Sequence, residues 1–223
     1  MNANRPDFHP APECVALSAG EVHLWRTTLG SPRTSDRDLL SPDEWIRAER
    51  FHFTRDCDRF VAARVFLRRI LSRYLGCGPG EIRFRRGPNG KPEIDGAATL
   101  LRFNLSHSED LMLLAVTQVR EVGVDLEALR PNAPYEISDR YFAPEDAWLI
   151  RTLPAPAKHQ RFYELWTRTE ALLKASGAGF AHGNRVVHPE RWSLLSLTPA
   201  EGFAASLAIE SGPFALRCWT WPN

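Results

Sequence analysis

Gly123-Val124-Asp125-Leu126-Glu127, read together with Trp166-Thr167-Arg168-Thr169-Glu170-Ala171-Leu172-Leu173-Lys174, decides the fold of this chain. Val122, Val124 and Leu126 alternate with Gly123, Asp125 and Glu127, and a period of two marks a strand. Asp125 and Glu127 then share the face opposite the valines and leucine. In the second stretch Glu170 and Lys174 stand four apart, which on a helix puts them on one face. A helix laid across that strand brings three carboxylates and one ammonium together. Hard oxygen ligands of this kind suit Mg²⁺, which is held through a few carboxylates, retained waters and substrate phosphates. The residues point to a site for a metal-bound phosphate compound.

Each pair also has a plainer explanation. Asp125 and Glu127 could line a solvated strand face, but adjacent carboxylates on one face repel and call for a cation or an arginine. Glu170 and Lys174 could be an ordinary helix pair contributing about 0.3–0.5 kcal/mol. Phe162, Leu165, Trp166, Leu172 and Leu173 leave that helix little polar surface, however, so some charge must lie near the core or a cleft.

Working outward, residues 22–25 form a first strand. Ser41-Pro42-Asp43-Glu44 is a helix start, with Ser at the N-cap, Pro next and Glu at the third position. A break is expected near residues 54–58, followed by a long helix with Phe60, Val61, Val65, Phe66, Ile70, Leu71 and Tyr74 at helical spacing. Gly76 and Gly78-Pro79-Gly80 end it. Residues 82–84 read as a short strand, and Gly87-Pro88-Asn89-Gly90-Lys91-Pro92 as a loop. Strands follow at 100–105, 111–117 and 122–126. The second half repeats the theme, with helices at 144–153 and around Trp166, a glycine exit at Gly177-Ala178-Gly179, and strands at 192–197, 203–209 and 215–220. Connectors at 131–134 and 154–157 carry Pro and Ala. No residue-level repeat is visible, yet each half supplies helices and a small sheet, so an α+β chain of two similar packed halves is expected, with the boundary near residues 128–134.

Composition narrows the class. The 223 residues, 43% hydrophobic and 25% charged, exceed one average domain and fall short of two independent ones. No apolar run reaches membrane-spanning length and residues 1–12 show no signal-peptide pattern, so a cytoplasmic protein without a membrane partner is expected. The four cysteines form no C-x-x-C pair, which argues against zinc and for reduced thiols. Net charge is only +1, but residues 47–91 hold twelve Lys/Arg against four Asp/Glu, enough for a few of them to meet an anionic ligand. Asn104, Ser106 and His107 end a strand; by themselves they are turn residues, and in context His107 and Ser106 offer donors to phosphate oxygens.

In order, Gly90-Lys91-Pro92, Asn104-Leu105-Ser106-His107-Ser108, Gly123 to Glu127, and Trp166 to Lys174 resemble four motifs of the larger, Sfp-type group of 4′-phosphopantetheinyl transferases. Those motifs are a G-K-P loop, an N-x-S-H-S strand end, a G-[IV]-D-x-E strand and a W-[ST]-x-K-E-[AS]-x-x-K helix. The resemblance covers residues 90–174 and, less specifically, the arginine-rich stretch 41–68. It implies a pseudo-dimeric α+β fold with small antiparallel sheets and packed helices in two halves, 1–128 and 129–223, and coenzyme A between them. It further implies that Asp125, Glu127 and Glu170 hold Mg²⁺ against the pyrophosphate. Lys174 and His107 would contact that pyrophosphate, while Gly90, Lys91, Pro92, Ser106, Arg47 and Arg59 would surround the adenosine phosphates. The implied reaction has a serine of an apo acyl or peptidyl carrier protein attack the β-phosphate, its proton passing to Glu170 or to a metal-bound water, with 3′,5′-ADP leaving. The carrier could serve fatty-acid, polyketide or nonribosomal-peptide synthesis. A monomer is implied, because one chain supplies both walls of the cleft.

Two positions depart from the pattern. Thr169 stands where most of the family has lysine, and Glu44 where some members carry a basic residue. A Mg²⁺-dependent nuclease or nucleotide hydrolase would share the acidic cluster and the basic segment. Its D…E-x-K core needs Glu and Lys alternating on a strand, however, and aromatic residues placed for base stacking are sparse, so no nucleic-acid partner is expected. A non-catalytic carrier-protein binder is the other alternative, and the intact Asp125, Glu127, Glu170 and Lys174 speak against it.

Overall fold

Ser41 starts the first helix as its sequence requires: its hydroxyl accepts from the Glu44 backbone N–H, and the Glu44 carboxylate accepts from the Ser41 N–H at 2.9 Å. The computed structural model describes residues 5–87, 89–96, 99–178 and 189–222. These form β1 (His9–Pro10), β2 (Glu21–Thr28), α1 (Pro42–Ala48), α2 (Thr54–Leu75), β3 (Phe84–Arg86), β4 (Pro92–Ile94), β5 (Leu101–Ser108), β6 (Leu111–Gln118) and β7 (Val122–Ala128). The chain continues with α3 (Ser138–Tyr141), α4 (Pro144–Thr152), α5 (Ala155–Ser176), β8 (Trp192–Leu197), β9 (Phe203–Glu210) and β10 (Ala215–Thr220).

The architecture is the expected α+β arrangement of two halves. A five-stranded sheet runs β1-β10-β2-β6-β5, a three-stranded sheet runs β7-β9-β8, and β3 pairs with β4. Val22, Leu24 and Leu113 of the larger sheet meet Val124, Leu126 and Leu207 of the smaller one in a shared core. On its other face the larger sheet carries α2, through Trp25, Met112 and Leu114 against Phe66 and Leu67. The smaller sheet carries α5, with Ala171 and Ala175 against Ala208. Each half is thus a sheet backed by one 22-residue helix. α2 ends at Gly76 with φ 67°, the left-handed cap that glycine adopts without steric cost.

Four details differ from the expectation. The irregular stretch before α2 is 49–53, and the helix already starts at Thr54, where the break was placed. The short strand lies at Phe84–Arg86, two residues later than read. β5 continues through Ser108, and the turn falls on Glu109, which takes φ 51°. The larger sheet is mixed, because β10 lies parallel to both β1 and β2. β7, the carboxylate strand, pairs antiparallel with β9, so its backbone belongs to the smaller sheet. Pro88 and Gly179, each part of a motif read above, lie outside the described residues.

Candidate active site

Gly123 lets α5 lie directly on β7. A Cβ there would overlap the Ala171 carbonyl oxygen and the Ala175 backbone nitrogen and stand 2.9 Å from the Ala175 Cα. Only hydrogen fits. The close approach brings Lys174 onto the strand, where Nζ donates to Asp125 Oδ1 at 2.6 Å and to Ser106 Oγ at 3.0 Å. Asp125 is 3% exposed, and its Oδ2 is buried without a partner. A buried unsatisfied oxygen costs about 1–3 kcal/mol, more when charged, so Oδ2 is ready to accept a cation.

Glu127, two residues on, accepts from the Ser108 hydroxyl at 3.2 Å and from the Trp166 indole N–H. Burial, and then the charge of Asp125, hold its carboxyl above the usual range. Glu170 lies one helical turn from both Trp166 and Lys174. Burial pushes it up to about 7; Asp125 and Glu127 add to the rise, and Lys174 opposes it. Three carboxylates therefore face one ammonium, and their mutual repulsion marks a shortage of positive charge. Among the described residues no three His, Cys, Asp or Glu side chains are already gathered closely enough to hold a metal ion. In this arrangement Lys174 is the cation that meets Asp125. The donor set, all carboxylate oxygen with one orphaned atom, fits a hard divalent cation.

The Asn104-to-Ser108 segment does something the sequence reading missed. Asn104 Oδ1 accepts from Val124 N–H at 2.9 Å, Ser106 Oγ from Leu126 N–H at 3.2 Å, and Ser108 Oγ from Ala128 N–H at 3.0 Å. Three side chains at a period of two thus zip β5 onto β7, joining the edges of the two sheets. Polar residues at alternate positions of an otherwise apolar strand are the signal that could have revealed this.

A cleft of about 700 Å³ opens between α2 and the C-terminal turns of α5, within the range for a cofactor-sized ligand. Arg47, Arg59, Gly90, Lys91, Pro92, His107, Glu170 and Lys174 line it. His107 projects from the face of β5 opposite the serines. Desolvation, then the charges of Lys174 and Arg59, hold its pKa below the usual value.

Several residues expected at the ligand hold other partners here. Ser106 lies behind the cleft wall, 7% exposed, and donates to Asp125 Oδ1 at 3.0 Å. Lys91 Nζ reaches Glu121 Oε2 at 2.8 Å and the Val122 carbonyl at 3.1 Å, linking its loop to the start of β7. The Arg59 guanidinium is bound to Asp110 at the β5–β6 turn, with Nε at 2.8 Å from Oδ1. The Arg47 guanidinium lies over the Phe60 ring, 5.2 Å from its centroid. Glu44 is no ligand contact: it is buried and ion-paired to Arg64 and Arg68, the latter at 2.8 Å. Thr169 turns its hydroxyl back to the Leu165 carbonyl at 2.9 Å.

Two sheet-and-helix halves meet at a cleft lined by Arg47, Arg59, Arg64, Arg86, Lys91 and Lys174, and of the three carboxylates only Glu170 is among its lining residues. The description "4′-phosphopantetheinyl transferase, N-terminal" matches residues 23–119, and "4′-phosphopantetheinyl transferase superfamily" matches residues 121–217. 4′-phosphopantetheinyl transferase HetI of Nostoc sp. is 39% identical over 228 residues, spanning 94% of this chain and 96% of that protein. 4′-phosphopantetheinyl transferase psf-1 of Bacillus pumilus is 32% identical over 66% of this chain and 62% of its own length. For 4′-phosphopantetheinyl transferase Sfp of Bacillus subtilis the figures are 28%, 64% and 62%. The chain belongs to the 4′-phosphopantetheinyl transferase superfamily, and its Sfp-like relatives bear out the resemblance read from residues 90–174.

Proposed function

We propose that this chain transfers the 4′-phosphopantetheine of coenzyme A to a serine of an apo acyl or peptidyl carrier protein, releasing 3′,5′-ADP. The observation that carries this reading is the cleft itself, lined by Arg47, Arg59, Lys91, His107, Glu170 and Lys174, in a chain of this family. Asp125, Glu127 and Glu170 would hold Mg²⁺, which supplies charge neutralisation at the pyrophosphate when bound. The unpartnered Oδ2 of Asp125 and the raised carboxyls of Glu127 and Glu170 support that assignment.

The chain's own groups then have distinct roles. Lys174 and His107 donate to pyrophosphate oxygens, and Arg47, Arg59, Lys91 and the Gly90–Pro92 rim receive the adenosine phosphates. The serine Oγ forms its bond to the β-phosphorus as the bond to the 3′,5′-ADP oxygen breaks. The serine proton passes to Glu170, which lines the cleft, or to a water beside it. Ser106 acts from behind, by fixing Asp125.

In this reading residues 1–128 supply the basic wall and the carboxylate strand, and residues 129–223 the helix that faces them. The division is one of function, since β7 hydrogen-bonds to β9. Both walls come from one chain, which supports a monomer. The free Cys14, Cys57, Cys77 and Cys218 support a reducing cytoplasmic location. The partners are coenzyme A and a carrier protein, without nucleic acid or membrane; Glu170 and Lys174 sit on a helix, not on the alternating strand of the nuclease alternative. Incubation with coenzyme A, Mg²⁺ and a panel of apo carriers, read by intact mass, tests this. One phosphopantetheine gained, and none with EDTA, is the expected result; no gain on any carrier together with no coenzyme A binding overturns it.

A further inference from the structure

Each carboxylate of β7 is held by one donor from each side of the molecule. Asp125 takes the Ser106 hydroxyl from β5 and the Lys174 ammonium from α5. Glu127 takes the Ser108 hydroxyl from β5 and the Trp166 indole from α5. The donors repeat with the periods of their own elements: two residues on the strand, eight on the helix.

The chemistry of the second clamp leaves little freedom. Ser108 is 7% exposed, and one lone pair of its Oγ already accepts the Ala128 N–H at 3.0 Å, which directs its single proton at Glu127 Oε2. Trp166 has one polar atom, a donor only. Its ring is fixed by Phe162, stacked at 6.4 Å and 3°, and by Tyr141, edge-on at 5.5 Å. A ring packed in this way is rigid, so the N–H aims the carboxylate and does not merely follow it. Phe162 and Trp166 belong to the half opposite β5, so Glu127 is oriented only when both halves are docked.

We propose that Ser108 and Trp166 are positioning residues that set the direction in which Glu127 presents its carboxylate to a divalent cation. This rests on the metal-binding reading of Asp125, Glu127 and Glu170. Partners of ligating carboxylates, when removed, cost about 10–100-fold in metal affinity.

The test is Mn²⁺ binding to the full chain saturated with coenzyme A, read from the free-ion electron paramagnetic resonance signal. Ser108→Ala and Trp166→Phe should each weaken Mn²⁺ binding about tenfold, while the KM for coenzyme A at saturating metal stays within about twofold. Ser108→Thr, which keeps the hydroxyl, should restore binding; a purely structural role would not follow the hydroxyl. Trp166→Phe preserves the ring contacts, so it decides the matter if Ser108→Ala fails to fold. Unchanged Mn²⁺ binding in Trp166→Phe and Ser108→Ala, with binding lost in Asp125→Ala, overturns the positioning role alone. Retained binding in Asp125→Ala overturns the metal reading and this inference with it.

Discussion

Glu170→Gln should stabilise the metal-free protein while abolishing transfer. Folding raises this carboxyl from 4.5 to about 7, chiefly by burial and then by the neighbouring Asp125. A raised acid binds its proton more tightly in the folded chain than in the unfolded one. Stability is therefore full below about pH 4.5, falls as pH climbs through the window from 4.5 to about 7, and levels off above it. Each tenfold in proton affinity is worth about 1.4 kcal/mol, which caps the cost at about 3 kcal/mol. Partial solvent access and screening reduce this to about 2 kcal/mol. Glutamine has the same shape and no proton to lose. In EDTA at pH 8 the variant should gain about 2 kcal/mol, or about 4–8 °C in melting temperature for a chain of this size, and the gain should shrink toward zero near pH 4.5. Urea unfolding of both proteins at pH 5, 6, 7 and 8 reads this directly, because a shifted midpoint at constant slope reports stability. A variant no more stable than the parent at pH 8, or one with the same advantage at pH 5, would refute the reasoning.

Other perturbations should separate structural from chemical roles. Gly123→Ala drives a methyl into the Ala171 and Ala175 backbone and should destabilise by about 3 kcal/mol or displace α5, seen as a lowered urea midpoint with loss of transfer. Asp125→Ala should abolish carrier modification in the mass assay while the circular dichroism spectrum is kept; retained activity sinks its metal role. Chelation by EDTA should stop transfer, and added Mg²⁺ should restore it. His107→Ala should raise the KM for coenzyme A without lowering the melting temperature, and unchanged kinetics would make His107 structural. Glu44→Ala strands Arg68, which is 1% exposed, and should cost about 3–5 kcal/mol in urea unfolding.

What the sequence made legible was local. The alternation of Val122, Val124 and Leu126 with Gly123, Asp125 and Glu127 depends only on the pleat, so the strand and its carboxylate face could be read before any partner was known. The Ser41-to-Glu44 box and the Gly76 stop are likewise set by near neighbours. Choice of long-range partner was not legible. Ser106 reads from its motif as a phosphate contact, and nothing local points to β7, because the β7 N–H groups that Ser106 and Ser108 accept from lie about twenty residues away. Glu44 looked like an altered ligand contact, and only the fold shows Arg64 and Arg68 around it. Lys91 reads as a phosphate contact from its motif; its hold on Glu121 depends on where the loop before β4 meets the residues leading into β7.

β10 lies between β1 and β2 in the larger sheet, parallel to both. A strand from residues 215–220 thus completes a sheet begun before residue 30. As the chain leaves the ribosome, β2 waits with a bare hydrogen-bonding edge until residues 215–220 have been made. Such an edge recruits other strands, so the nascent chain is prone to wrong pairing until β10 arrives. A chain cut short of residue 215 loses the middle of the larger sheet instead of an end. The larger sheet closes in one step, when β10 is inserted between β1 and β2.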